Sequence, residues 1–288
     1  MKFTIFTPTF NRATLLPRLF QSLQSQLFND FEWIIVDDGS TDNTSQVVQE
    51  FIDTNPSFKI SYYIQPNLGK HIAINKGVSV AKGELFFIVD SDDFISEKAL
   101  SIIDIEWELI SGDDVFAGIV PNKCYIEGKT IGNPTYDQLD CSPYEFRYKF
   151  NQIGDKAEII RTSIFKMYPF PNTVNEKFCP EALFFNKIIE YKLRYINKDL
   201  YFCQYLPDGL TAKIFQIRKE SPINTCQCYM DMANLNVPFM IKVRACVNFY
   251  RFKRYTSVPV NKPNLSLFTL FFSKIVADII YFLKDKNN

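Results

Sequence analysis

The first 120 residues alternate short apolar runs with segments of helical periodicity, and this alternation most restricts how the chain can fold. Each predicted strand is followed by a predicted helix, which indicates an α/β fold with a mostly parallel sheet covered by helices on both faces. The predicted strands are Lys2–Phe6, Phe31–Val36, Lys59–Ile64, Glu84–Val89 and Val115–Val120. The predicted helices are Ala13–Gln26, Asp42–Thr54, Ile72–Ala81 and Ser96–Ile110, the last with Ser96 as its N-cap.

Composition excludes several classes of protein. A chain of 288 residues with 47% hydrophobic and 22% charged residues can bury a large core, and its formal net charge of +0 provides no basic field for nucleic acid. Met1-Lys2 leads directly into the first predicted strand, so we expect no signal peptide, reduced thiols for the seven cysteines and a cytoplasmic location. Cys226-x-Cys228 is too closely spaced for the usual zinc site, and His71 is the sole histidine.

A polar segment follows each of the first four predicted strands. In a parallel sheet, ligands bind beyond the carboxyl ends of the strands. Taken singly, each segment is as typical of a turn or a helix cap as of a binding site. Four such segments on one edge of the sheet favour a binding site. The segments are TPTFNR (7–12), DDGSTD (37–42), QPNLGKH (65–71) and DSDD (90–93).

The last of these segments places Asp90, Asp92 and Asp93 at the end of a hydrophobic run. Crowded carboxylates are unfavourable unless a positive charge lies beside them, and their oxygens suit Mg²⁺ or Mn²⁺. Such ions complete their coordination with water and substrate phosphates. Because the chain has neither a P-loop nor a G-x-G-x-x-G motif, we expect a divalent ion, assisted by Lys70, to bind a diphosphate.

At these segments the chain resembles the family 2 glycosyltransferases, which have the GT-A fold. The resemblance extends over roughly the first 110 residues. Two later stretches, FPNTVNEKFCPEALFFNKI and YLPDGLTAK, are similar to those of bacterial members that build surface polysaccharides. The motifs are Thr7-Pro8-Thr9-Phe10-Asn11-Arg12, the 36–42 turn, Asn67-x-Gly69-Lys70-x-x-Ala73-x-Asn75-x-Gly77, and Asp90-Ser91-Asp92-Asp93, which looks like the DXD motif.

The resemblance implies a role for each matching residue. A carboxylate of the 37–42 turn accepts a hydrogen bond from a uracil-type base, and the DXD-like motif binds the ribose or donor sugar and the metal. Asp38 is implied to bind the nucleotide base, Lys70 to bind the diphosphate, and Asp92 and Asp93 to bind the metal. The implied nucleotide-sugar-binding residues are Thr7, Pro8, Thr9, Asn11, Arg12, Asp37, Asp38, Lys70, Asp90 and Ser91.

The resemblance further implies inverting, metal-dependent transfer of a sugar from a nucleotide-diphosphate donor, a UDP-sugar, to a saccharide or lipid-linked saccharide acceptor. The catalytic base is implied at a helix start, where Glu181 follows Pro180 and precedes Ala182. Glu176 is a second candidate, and a merely helix-stabilising role for Glu181 stays open. Two other functions stay open: a sugar nucleotidyltransferase, although TPTFNRATLL lacks the expected glycine-rich loop, and a catalytically inactive binding protein.

The C-terminal part of the chain has a different pattern. We predict a catalytic domain over residues 1–215, with a nucleotide-sugar half (1–120) and an acceptor half (121–215), and a helical extension over 216–288. The stretch NLSLFTLFFSKIVADIIYFLKDKNN predicts an amphipathic helix. Two alternatives stay open: the helix lies on the inner face of an anionic membrane, near a lipid-linked acceptor, or it packs on protein. Nearby basic residues are Arg244, Arg251, Lys253, Arg254 and Lys262.

Overall fold

The computed structural model describes residues 1–204 and 213–286, so the YLPDGLTAK stretch lies outside the described residues except for Lys213. Two compact units divide the chain. The first contains Met1–Pro169 and Ile188–Gln204, and the second contains Phe170–Lys187 and Tyr205–Asn288. Residues 170–187 thus belong with the C-terminal helices, whereas the sequence assigns them to the acceptor half of one domain. The predicted functional division at residue 215 stays a prediction.

A nine-stranded sheet forms the centre of the first unit. The strands are β1 (Phe3–Thr9), β2 (Phe31–Asp37), β3 (Lys59–Ile64), β4 (Leu85–Ile88), β5 (Phe94–Ile95), β6 (Phe116–Tyr125), β7 (Gln138–Cys141), β8 (Ile159–Arg161) and β9 (Lys192–Cys203). Their order is β3-β2-β1-β4-β8-β6-β9-β5, with β7 pairing with β9. Within this sheet only β5, β7 and β8 run antiparallel to their neighbours. The predicted mostly parallel α/β sheet is therefore confirmed.

Helices follow the first four predicted strands at the predicted places. Three of them are shorter than predicted, whereas the third begins two residues earlier, at Lys70, and ends one residue earlier, at Val80. The helices of this unit are α1 (Leu16–Gln24), α2 (Thr44–Asp53), α3 (Lys70–Val80), α4 (Ala99–Glu108) and α5 (Thr162–Met167), together with a π-helical turn over Glu145–Lys149. The prediction that Ser96 caps α4 is wrong. The helix begins three residues later, and Ser96 contributes its backbone oxygen, which accepts a hydrogen bond from the Ala99 N–H at 2.9 Å.

Aromatic side chains fill much of the core between the sheet and its helices. On one face, Phe20 of α1 stacks on Trp33 of β2 and on Phe51 of α2, with ring centroids 6.0 and 4.3 Å apart. On the other face, Phe6 lies so close to α3 that a Cβ at Gly77 would come within 2.3 Å of its ring. The chain contains 28 phenylalanines, and those of this core hold α1, α2 and α3 closely against the sheet.

The described part of the second unit is helical, as predicted for the C-terminal residues. Its helices are α6 (Ala182–Lys187), α7 (Ile214–Glu220), α8 (Pro222–Asn234), α9 (Phe239–Lys253) and α10 (Leu267–Ile280), followed by a π-helical turn over Tyr281–Asp285. Helix α9 packs against both α8 and α10. Among the described residues, no helix combines the length and the apolar character needed to span a bilayer. All seven cysteines are buried free thiols.

Candidate active site

The polar segments meet at one edge of the sheet because β1 to β4 are parallel neighbours. Asn11 joins the first segment to the second. Its backbone N–H donates to Ser40 Oγ at 2.8 Å, and its side-chain oxygen accepts a hydrogen bond from the Thr41 N–H at 2.8 Å. Asn11 has a φ of 52°, a left-handed conformation that asparagine adopts more readily than most residues. The loop after β1 is thus tied to the 37–42 turn.

Asp37 and Asp38 are both buried and both hold neighbouring loops in place. Asp37 accepts hydrogen bonds from the Ser40 N–H at 2.8 Å and from the Tyr62 hydroxyl at 2.6 Å. Burial and this bond to Asp37 raise the pKa of Tyr62, so the phenol stays a donor. The carboxylate of Asp38 accepts three hydrogen bonds from the 65–69 segment. The donors are Gln65 Nε2 at 2.7 Å and the Leu68 and Gly69 N–H groups, each at 2.8 Å. Recognition of a base by Asp38 stays a prediction.

The residues at the end of β1 differ in what their side chains contact. The hydroxyl of Thr7 is buried and accepts a hydrogen bond from Trp33 Nε1 at 2.9 Å, so it supports the sheet. The hydroxyl of Thr9 is buried without a hydrogen-bond partner among residues 1–204 and 213–286. Pro8 is partly exposed at the same edge, and Arg12 lies in the following loop, where its charge acts on Asp92. Nucleotide binding by these four residues stays a prediction.

Lys70 and Asp90 form an ion pair across this edge, with Lys70 Nζ 2.8 Å from Asp90 Oδ1. Lys70 is the first residue of α3, and Asp90 follows β4. Burial alone would raise the pKa of Asp90, but the positive charges of Lys70 and Lys123 outweigh it and lower that pKa. The structure therefore places Lys70, the residue predicted to bind the diphosphate, in contact with the first carboxylate of the DXD-like motif.

The rest of this motif forms a tight turn in which the Asp93 N–H donates to the Asp90 carbonyl at 3.0 Å. Ser91 and Asp93 are buried, and Asp92 is half-buried. Burial and the charge of Asp90 raise the pKa of Asp92 and raise that of Asp93 to about 7. The Tyr201 hydroxyl donates to Asp93 Oδ2 at 2.6 Å, which fixes this carboxylate in place.

Lys123 and Tyr201 belong to this cluster, although the sequence analysis did not identify either. Lys123 Nζ lies 4.6 Å from the centroid of the Tyr201 ring. Burial would lower the pKa of Lys123, but the charges of Asp90, Glu158 and Asp93 raise it, so the amine stays protonated. A lysine at the carboxyl end of an otherwise buried strand was the available signal. Its significance depends on the pairing of β6 with β9, two strands far apart in sequence.

The carboxylates of Asp92 and Asp93 have the donor chemistry that a hard divalent cation requires. Among the described residues there is no group of three or more histidine, cysteine or carboxylate side chains arranged to hold a metal ion. Mg²⁺ commonly takes only one or two protein carboxylates and fills its remaining positions with water and substrate phosphates. The pKa values of both side chains are raised by burial first and by the negative charge of Asp90 second, and a cation would relieve both effects.

His71, beside Lys70, is buried, and neither ring nitrogen has a hydrogen-bond partner among the described residues. Burial lowers its pKa, against the opposing charge of Asp38, so the folded protein holds a neutral imidazole. The unfolded chain therefore binds more protons below about pH 6.5, and stability falls as the pH falls.

We expect wild type to lose about 1–2 kcal/mol more stability than His71→Gln between pH 6.5 and pH 5, because glutamine does not titrate. Urea unfolding of both proteins at several pH values measures this difference. The chain has one histidine, so other titrating groups are common to both proteins and cancel. Parallel stability curves for the two proteins would show that His71 is protonated equally in both states.

In the second unit, the two candidate bases have different surroundings. Glu181 is exposed and immediately precedes α6, and its carbonyl accepts a hydrogen bond from the Phe184 N–H at 2.9 Å. Glu176 is buried, and its carboxylate oxygens accept hydrogen bonds from the Ile223 and Asn224 N–H groups at 2.6 and 2.7 Å. Glu176 thus closes the N-terminus of α8, as an acidic side chain does favourably. Glu181 remains the better candidate for proton transfer.

Comparison with known proteins identifies relatives of this site. The family model described as glycosyl transferase family 2 matches residues 4–124, which contain all four polar segments. A Campylobacter jejuni protein, GalNAc(5)-diNAcBac-PP-undecaprenol beta-1,3-glucosyltransferase, is 36% identical over 104 residues, which cover 35% of this chain and 33% of that protein. An uncharacterized glycosyltransferase of Haemophilus influenzae is 27% identical over 194 residues, which cover 66% of this chain and 72% of that protein. The chain thus matches about a third of the Campylobacter protein.

Solved structures resemble the fold along nearly the whole chain. Staphylococcus aureus TarS 1-349 in complex with UDP-GlcNAc has a TM-score of 0.64 at 19% identity, covering 99% of this chain and 82% of that one. A Pyrobaculum calidifontis mannosyltransferase in complex with GDP-Man and Mn²⁺ has a TM-score of 0.58 at 16% identity, covering 99% of this chain and 88% of that one. At these identities the likeness shows the fold alone, and that fold is GT-A, as the sequence motifs imply.

Proposed function

Because residues 4–124 belong to glycosyl transferase family 2, we propose that this protein transfers a sugar from a nucleotide-diphosphate donor to a hydroxyl group of an acceptor. The donor that we propose is a UDP-sugar, and the acceptor is a saccharide or a lipid-linked saccharide. The transfer inverts the anomeric configuration and depends on a divalent metal, Mn²⁺ or Mg²⁺. The observation that supports this most strongly is the cluster of Lys70, Asp90, Asp92 and Asp93 at the carboxyl edge of the parallel strands.

The base, the diphosphate and the metal would bind at successive positions along this edge of the sheet. Asp38 holds the 65–69 segment in place beside the proposed base pocket, at the end of β2. Lys70 and Lys123 place two positive charges beside Asp90, where a diphosphate needs neutralisation. Asp92 and Asp93 would hold the metal, which when bound neutralises the charge that develops on the departing diphosphate. Tyr201 keeps Asp93 oriented through its hydroxyl hydrogen bond.

In the proposed transfer, the acceptor oxygen attacks the anomeric carbon from the face opposite the diphosphate. A new carbon–oxygen bond forms while the bond from that carbon to the phosphate oxygen breaks, so the configuration inverts. The nucleoside diphosphate leaves with the bonding electron pair, and the hydroxyl proton passes to the carboxylate of Glu181. The exposed position of Glu181 before α6 leaves this carboxylate accessible to an acceptor.

The proposed acceptor class follows the printed names of two relatives. The Campylobacter jejuni relative acts on a polyprenyl-linked saccharide, as its name states. A Staphylococcus aureus relative, poly(ribitol-phosphate) beta-N-acetylglucosaminyltransferase TarS, is 35% identical over 102 residues, covering 35% of this chain and 18% of that protein. The first name contains a lipid-linked saccharide and the second a poly(ribitol-phosphate) polymer, and the first of these supports a lipid-linked saccharide as acceptor here.

Calorimetric titration of UDP and of GDP, each with Mn²⁺ and with EDTA, tests the donor site. We expect UDP to bind with Mn²⁺ and to bind at least about tenfold more weakly in EDTA, because Asp92 and Asp93 would hold the metal and the metal would supply positive charge for the diphosphate. GDP serves as the matched control for base recognition. UDP-sugars would then be screened for slow hydrolysis. Metal-dependent binding without turnover on any donor and acceptor would indicate a binding protein, and absence of nucleotide binding would refute the proposal.

A further inference from the structure

Helix α10 packs through its polar and small residues rather than through its apolar ones. Thr269, Ser273 and Ala277, spaced four residues apart, are buried in the second unit, where α10 contacts α9. Ser266 caps the helix, its hydroxyl accepting a hydrogen bond from the Thr269 N–H at 3.2 Å. These three small side chains of α10 therefore face protein. Small side chains at this spacing allow the two helices to approach closely.

The opposite side of the same segment exposes large apolar side chains, here called the apolar arc. Leu267, Phe268 and Leu283 are 85%, 78% and 80% exposed. A contiguous apolar surface of this size marks a site that contacts another apolar phase. The apolar arc consists of Leu267, Phe268, Phe271, Phe272, Ile275, Ile279, Phe282 and Leu283.

Two ion pairs hold α10 in this orientation. Arg254, directly after α9, pairs with Asp278. Arg251 forms a two-pronged pair with Asp285, whose oxygens accept from Nε at 2.9 Å and from Nη2 at 2.8 Å, and the Asp285 side chain is buried. Bidentate arginine–carboxylate pairs fix relative orientation as well as contributing energy. Rotating the apolar arc toward α9 would break both pairs.

The same pairs determine the charge that accompanies the apolar arc. Between residues 267 and 286 both carboxylates are engaged by arginines, whereas Lys274 and Lys286 are exposed. An apolar surface accompanied by exposed lysines complements an anionic bilayer. It suits a second copy of this chain poorly, because each copy would bring the same positive charges and no carboxylate of this segment to match them.

We propose that α10 and the turn after it bind parallel to the surface of an anionic lipid bilayer, with the apolar arc inserted among the acyl chains near the headgroups. The lysines lie at headgroup level, and α9 faces away from the lipid. This surface belongs to the second unit alone and does not depend on the proposed transfer reaction, so the two proposals can fail separately.

Vesicle co-sedimentation of the full chain tests this surface. Vesicles of phosphatidylcholine with roughly 30% phosphatidylglycerol, and of phosphatidylcholine alone, provide anionic and neutral surfaces. We expect binding to the anionic vesicles, at least about tenfold weaker binding of Phe268→Ser/Phe271→Ser/Phe282→Ser, and clearly weaker binding of Lys274→Glu. The matched control is Ile105→Ser/Leu109→Ser, which removes one exposed apolar side chain of α4 and another directly after it, and which should bind as wild type does.

A second measurement reports insertion directly. The native tryptophans, Trp33 and Trp107, are buried in the first unit, so Phe271→Trp adds one reporter within the apolar arc. We expect its fluorescence to shift to shorter wavelength with anionic vesicles and to be quenched by brominated lipids, unlike the wild-type signal. Equal binding of the triple variant and wild type would overturn the proposal. So would self-association in solution that the triple variant abolishes, since a second copy would then cover the arc.

Discussion

Replacing Asp92 by alanine should reduce sugar transfer at saturating Mn²⁺ by about 10³-fold or more. Asp92 is one of the two carboxylates that would hold a divalent ion, and such an ion would supply positive charge for the leaving diphosphate. Alanine would remove that ligand and, with it, stabilisation of the transition state. Asp92 is half-buried at the turn after β4, and burial together with the charge of Asp90 raises its pKa. Alanine relieves this crowding, so the variant should fold at least as stably as wild type.

The measurement is the initial rate of transfer over a series of Mn²⁺ concentrations, together with the thermal midpoint of each protein. Asp114→Ala is the matched control, because Asp114 is an exposed carboxylate outside the site and its loss should leave the rate unchanged. If Asp92→Ala retained more than a tenth of the wild-type rate with the same Mn²⁺ dependence, Asp92 would not be a metal ligand.

The parallel half of the fold could be predicted because its signals are local. Alternating strands and helices specify the right-handed β-α-β connections, and parallel strands bring their carboxyl ends to one edge. This is why the pairing of Lys70 with the DSDD segment was predictable from two separate loops. The start of α4 was not predictable in this way. The hydroxyl of Ser96 is buried without a hydrogen-bond partner among the described residues, and its backbone oxygen accepts the Ala99 N–H instead.

The remaining contributions to the site depend on contacts that sequence spacing does not reveal. Lys123 and Tyr201 reach the carboxylates only because β6 pairs with β9, a strand far away in sequence. The register of this pairing shifts at several positions, and these shifts place Lys123 opposite Tyr201. The orientation of α10 is equally non-local. A helix with one polar and one apolar side is ordinarily expected to bury the apolar side. Here Arg251 of α9 engages Asp285, and Arg254, directly after α9, engages Asp278. These pairs leave the apolar side outward.

Changing Glu181 to glutamine should lower the turnover of transfer by about 10²–10⁴-fold, the usual contribution of a general base, without weakening UDP binding. Glutamine keeps the size and polarity of the side chain but does not accept the acceptor's proton. Glutamine keeps the backbone carbonyl of residue 181, which accepts the Phe184 N–H, so the start of α6 should keep this hydrogen bond. Rates with a working donor and acceptor, alongside calorimetric UDP affinity, separate the two effects.

Glu176→Gln is the matched comparison, because both carboxylate oxygens of Glu176 bind the first turn of α8. A glutamine there would turn one N–H donor against another and should lower the stability of the second unit by about 1–2 kcal/mol. The rate of the folded protein should not change. The opposite pattern, an inactive Glu176→Gln beside an active Glu181→Gln, would assign the base to Glu176. Its carboxylate would then have to leave the α8 N-terminus during each turnover, at the energetic cost of two backbone hydrogen bonds.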